Sequence, residues 1–129
     1  MSVIFNGLGL RIWVKPDDFA ATADFYGEAL GLKCAWRDEG EGVAVYELGF
    51  GPTVVVESAE PGPGNAAIFS RFTGFSLEVA DIAAAHAALT ARGVVFEGPP
   101  VKQYWGGIMA FFSDPAGNNH TLLQRPGKG

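Results

Sequence analysis

Apolar and polar positions fall into short periodic blocks that spell out an order of elements. Leu10, Ile12 and Val14 alternate with Gly9, Arg11 and Trp13, so Leu8 to Val14 is expected to be a strand with two distinct faces. Lys15-Pro16-Asp17-Asp18 interrupts that period, and either Asp can cap a helix that follows. Phe19, Ala23, Tyr26 and Leu30 recur at helical spacing, and Gly31 suits the left-handed residue that ends a helix. Strands are expected at Leu32 to Arg37, Val43 to Leu48 and Thr53 to Ser58, with an exposed turn at Asp38 to Gly42.

Residues 59–72 change character, because Glu-Pro-Gly-Pro-Gly-Asn sustains neither a helix nor a central strand. The pattern then restarts. Phe75 to Val79 reads as a strand, Asp81 as a cap, and Ile82, Ala85 and Leu89 as one helix face ended by Gly93. Val94 to Glu97 is a further strand and Gly98-Pro99-Pro100 a loop. Gly107 to Ser113 and His120 to Gln124 form a hairpin about Asp114-Pro115-Ala116-Gly117, where Asp, Pro and Gly each suit a turn. The halves therefore repeat one βαβββ unit, residues 7–58 and 73–125. The expected fold is α+β: one domain over residues 1–129, built from two such modules whose mixed sheets curl around a cleft. Each sheet has an apolar face that must be covered by the other half or by a second chain.

Composition narrows the partners. The 129 residues are 48% hydrophobic and carry a net charge of −5, a globular composition that argues against nucleic acid or an anionic membrane as partner. The single cysteine, Cys34, forms no internal disulfide, makes no zinc site alone, and has no nucleophile motif around it. No apolar run reaches the length of a membrane span, and Met1 to Asn6 does not read as a secretory leader, so a cytoplasmic location is expected.

Three motifs in order carry a family resemblance. Phe25 to Gly31 matches an FYxxxLG helix end, Phe75 to Ile82 a strand–Asp–helix start, and Asp114 to Asn118 a DPxGN hairpin. With the duplicated βαβββ unit, the chain resembles the vicinal oxygen chelate superfamily, which includes glyoxalase I, extradiol dioxygenases, fosfomycin-resistance enzymes and bleomycin-resistance proteins. In metal-dependent members of that family a His or Gln on the first strand, a His opening the fifth, and Glu residues on the fourth and eighth strands hold the ion. Carried over by register, those positions fall on Gly9, Gly74 and Thr121, with Glu57 alone able to keep its role. Tight binding of a divalent cation needs three or more donors, so no metal cofactor is expected. Any metal that does bind would use Glu57 and His120. Alternation turns His120 to the opposite face from Thr121, however, so packing under a helix is its expected role. His86 is expected to be a solvated or half-buried helix residue.

The resemblance also implies where a ligand lies. Arg11 and Trp13 share the face of Gly9; Ser76 and Glu78 share that of Gly74; Met109, Phe111 and Thr121 lie on the matching face of the hairpin; Tyr104 and Trp105 precede it as a lid. An apolar, aromatic surface with a few placed polar groups suits a small molecule. Three functions follow as expectations. The first is a metal-free, homodimeric binding protein like the bleomycin-resistance proteins, sequestering an aromatic or cationic molecule in an antibiotic-resistance role without catalytic residues. The second is a glyoxalase-like lyase or isomerase, or a dioxygenase, dependent on a divalent metal ion. The third is a dimerisation or interaction domain without a small ligand.

Overall fold

The computed structural model describes residues 2–127 of the chain. It divides into two compact units between Phe69 and Ser70. The first holds β1 (Gly9–Val14), α1 (Phe19–Asp24), β2 (Lys33–Asp38), β3 (Val43–Glu47) and β4 (Thr53–Ser58). Its sheet runs β1-β4-β3-β2, with β1 parallel to β4 and the other neighbours antiparallel. Pro16–Asp18 forms a single 3-10 turn into α1, and neither the Asp17 nor the Asp18 side chain accepts a capping hydrogen bond, contrary to the expectation. Proline at the start of the turn already presets its φ and has no N–H to satisfy.

The helix continues from α1 through a π-helical turn at Phe25–Ala29, which the 3.6-residue period did not foretell. Gly31 ends it at φ 72°, and Leu32 N–H reaches back to the Tyr26 carbonyl at 3.0 Å. Phe19, Ala23 and Tyr26 are buried, as are Ile12, Val14, Ala44, Tyr46, Val54 and Val56 of the sheet. Each large apolar side chain so covered contributes on the order of 2 kcal/mol. The Tyr46 hydroxyl donates to the Ala23 carbonyl at 2.5 Å, which fastens helix to sheet. The opposite sheet face carries Arg11, Trp13, Val43, Val45, Val55 and Glu57, none of them fully buried. At the sheet's outer edge, β2 exposes Lys33, Cys34, Ala35 and Trp36 and shifts register between Cys34 and Trp36. Such a charged, irregular edge resists pairing with another strand.

The second unit holds β5 (Phe72–Glu78), α2 (Ile82–Ala91), β6 (Val95–Phe96), β7 (Val101–Lys102), β8 (Ile108–Ser113) and β9 (Asn119–Gln124). Its sheet runs β5-β9-β8-β6, again with the first pair parallel, and β7 pairs with β8. The Asp81 side chain caps α2 by accepting from Ala84 N–H at 3.1 Å, as expected. Three details differ from the sequence reading. β5 begins at Phe72, inside the expected connector; β6 is only two residues long; and β7 is an additional strand. Prolines 99 and 100 hide β7 by interrupting the alternation on its N-terminal side.

The hairpin motif folds as its chemistry dictates. Asp114 Oδ1 accepts the N–H groups of Ala116 and Asn118, each at 2.9 Å, and Gly117 sits at φ 87°. Gly117 also abuts Ser70, whose hydroxyl donates to the Ala116 carbonyl at 2.7 Å. His120 is fully buried on the face with Phe112 and Leu122. Its ring lies 4.3 Å from that of Phe75, and Nδ1 is 2.7 Å from the Thr73 hydroxyl. That hydroxyl donates to the Asn119 carbonyl, so Nδ1 carries the hydrogen toward Thr73. Half-buried His86 stacks on Phe96 at 4.2 Å, with Nε2 3.3 Å from the Gly98 carbonyl.

Candidate ligand-binding site

In the first unit, strand pairing brings together Arg11, Trp13 and Glu57. Trp13 and Glu57 are direct partners across the parallel β1–β4 pair, and Arg11 precedes Trp13 by two on the same face. Arg11 grips the carboxylate with two hydrogen bonds, Nε to Oε1 at 3.0 Å and Nη2 to Oε2 at 2.8 Å. Trp13 Nε1 donates to Oε2 at 2.8 Å, and the Arg11 guanidinium carbon lies 5.3 Å from the centre of the indole. The guanidinium bond holds Glu57 below the ordinary carboxylate range; partial burial opposes that shift and the Trp13 bond adds to it. Arg11 is 59% exposed, so the pair contributes little to stability. What it does is hold the indole at one orientation. Val43, Val45 and Val55 surround this group on the same face, since Val43 pairs with Glu57 and Val45 with Val55.

In the second unit, Ser76, Thr121 and Phe111 form one cross-strand row, and Glu78, Leu123 and Met109 the next. Thr121 and Leu123 are buried, while Ser76 and Glu78 are exposed. Arg125, which the sequence reading passed over, binds Glu78 by Nε to Oε1 at 2.5 Å and Nη2 to Oε2 at 3.0 Å. That contact lowers Glu78 from the ordinary carboxylate value. Arg125 follows Leu123 by two, so continuing the alternation past Gln124 would have found it. Phe72 was also missed; its ring is 6.5 Å from that of Phe111. Tyr104 and Trp105 occupy the tight turn between β7 and β8, closed by Gly106 N–H to the Gln103 carbonyl at 3.0 Å. Tyr104 is fully exposed. The Trp105 ring lies over Gly107, where a β-carbon would come within 2.1 Å of it. Gly107 thus accommodates this indole, while Gly106 abuts Pro126.

The positions that the family would use for a metal do not fit one. Gly9 has no donor atom. Gly74 has none either, and at φ 82° it stands in a left-handed conformation where β5 shifts register against β9. A side chain there would be strained. The Glu57 carboxylate is closed by three hydrogen bonds. His120 Nδ1 is engaged by Thr73, and burial pushes its pKa down to about 3, Arg71 adding to the effect. Among the described residues no three His, Cys, Asp or Glu side chains cluster as metal ligands would. A separate depression on the first unit, lined by Pro16, Phe19, Glu39, Glu41 and Ser58, contains none of the expected site residues.

Residues 12–121 match the model of the glyoxalase/bleomycin resistance protein/dioxygenase superfamily. The chain belongs to that superfamily. Among solved structures of the superfamily, a member from Sphaerobacter thermophilus is 28% identical, with a TM-score of 0.76 over 95% of this chain and 98% of its own. TnmS3, an antibiotic binding protein from Streptomyces, is also 28% identical, with a TM-score of 0.75 over 98% of this chain and all of its own. A curated relative, the "Putative lactoylglutathione lyase" of Brassica oleracea var. gemmifera, is 31% identical over 90% of this chain. The chain spans 44% of that protein's length. No helix among the described residues is long and apolar enough to cross a membrane.

Proposed function

We propose that this superfamily member is a metal-free, homodimeric binding protein that holds a small aromatic or cationic molecule. The observation that carries the reading is the state of Glu57. It alone keeps a side-chain donor suited to a metal at the family positions, and its carboxylate is taken up by Arg11 and Trp13. The indole and the surrounding valines offer a flat apolar surface of the kind that binds small aromatic molecules. Likeness to an antibiotic binding protein over 98% of the chain supports the same reading. Elemental mass spectrometry after purification without chelator, followed by refolding with Ni, Zn, Mn or Fe(II), tests it. No stoichiometric metal is expected in any condition; one bound ion per chain would overturn the proposal.

The relative named as a lyase favours a second reading, a metal-dependent glyoxalase-like enzyme. Formation of lactoylglutathione by the metal-loaded protein, abolished by chelator, would decide for it.

A further inference from the structure

We infer that the ligand held at Trp13 is an uncharged planar aromatic molecule rather than a cation, because the carboxylate in contact with that indole, Glu57, is already neutralised by the Arg11 guanidinium. The inference rests on the binding reading above and narrows its ligand class. In the first unit, Glu57 accepts three hydrogen bonds, two from Arg11 and one from Trp13. A carboxylate has room for about four, so a cationic ligand would find about one acceptor site left, with the Arg11 guanidinium beside it. In the second unit, Glu78 and Arg125 close on each other in the same two-bond manner. Glu97, opposite Phe111 across the sheet, has no such fork among the described residues, so the charge balance is complete at the Trp13 surface and not over the second sheet.

The neighbouring charges do not alter this balance. Glu47, in the row of Gly9 and Thr53, pairs with Lys33 at 3.7 Å. Asp38 lies two strands across from Glu57, roughly 10 Å away, and its Oδ1 accepts Glu41 N–H at 3.1 Å. The net charge of −5 draws cations from a distance at low salt, but at physiological ionic strength that field decays over about 8 Å. Contact is therefore decided by Trp13 and its two partners. A flat neutral molecule can lie against the indole and the valines without disturbing either ion pair.

Three tricyclic probes of matched shape test the charge argument: acridone (neutral), aminoacridine (cationic) and acridine carboxylate (anionic). Their binding is measured by equilibrium dialysis at physiological salt against the full chain. Acridone is expected to bind tightest, by about tenfold. Arg11→Gln leaves Glu57 uncompensated and is expected to raise aminoacridine relative to acridone by roughly tenfold. Glu57→Gln leaves the guanidinium uncompensated and should favour the carboxylate probe to a similar extent. Circular dichroism establishes that both variants fold, which the exposure of the pair leads us to expect. A wild-type order led by aminoacridine, or variants that leave the order unchanged, would overturn the inference while leaving binding intact. Absence of binding by all three probes in every protein would remove the binding reading, and this inference with it.

Discussion

His120 shows how one residue's surroundings set a property of the whole chain. It is buried against Phe75 and Phe112, and its pKa falls to about 3 because a charged imidazole would lose its hydration there. The sign follows from proton counting. Below about 6.5 the unfolded chain takes up a proton that folded His120 refuses, so stability falls as pH drops, down to about 3. Between about pH 7 and about pH 5 this amounts to a loss of about 2 kcal/mol. Glu57, whose folded pKa is depressed, adds a loss as pH falls through that lower value. Urea unfolding at the two pH values should show the drop. His120→Asn keeps a nitrogen toward Thr73, and it should be less stable at neutral pH but flatter in its acid response. An unchanged slope would remove His120 as the cause.

At the scale of elements, turns hold the strands in register. Asp114 Oδ1 serves Ala116 and Asn118, and Asn118 Nδ2 donates to Oδ2 at 3.0 Å. Asp114 is buried, so Asp114→Ala strands these donors without water and should cost about 3 kcal/mol in denaturant unfolding. Asp114→Asn, which retains one acceptor, should cost less than half of that. The turn before β3 depends on a different constraint. Gly42 has φ 69°, and a β-carbon there would lie 2.5 Å from the Ser58 β-carbon. Gly42→Ala should therefore destabilise by about 2 kcal/mol or more, through both backbone strain and overlap. A neutral result would mean that β4 can yield at Ser58. The turn chemistry was readable residue by residue. The close approach of Gly42 to Ser58 was not, because 16 positions separate them and only the β3–β4 pairing brings them together.

At the scale of the molecule, large apolar side chains remain exposed on both units: Val3, Ile4, Phe5, Trp36 and Phe50 on one, Phe72, Val95 and Val101 on the other. Such surface is costly to leave in water and supports the proposed self-association. Sedimentation equilibrium should give about twice the 13.6 kDa chain mass at micromolar concentration. A monomer at all concentrations would confine any binding surface to one chain. The described residues form nine strands and two short helices.

The sequence by itself determined what depends on neighbours along the chain. Alternation placed β1, β3, β4, β8 and β9; Asp81, Gly31 and Gly93 marked helix ends; Asp114 to Gly117 wrote a turn; and the repeated order of these signals exposed the duplicated unit. Tertiary structure decided what depends on neighbours across the sheets. Nothing within Thr53–Ser58 says that Glu57 stands beside Trp13, 44 positions earlier, rather than one residue out of step and facing the helix. The same holds for Arg125 on Glu78, for β7 against β8, and for the left-handed Gly74 that a simple count of strand positions passes over. A strand's own side chains specify its two faces, but its register is set by the hydrogen-bond ladder of the strands beside it. The candidate site is built from those ladders.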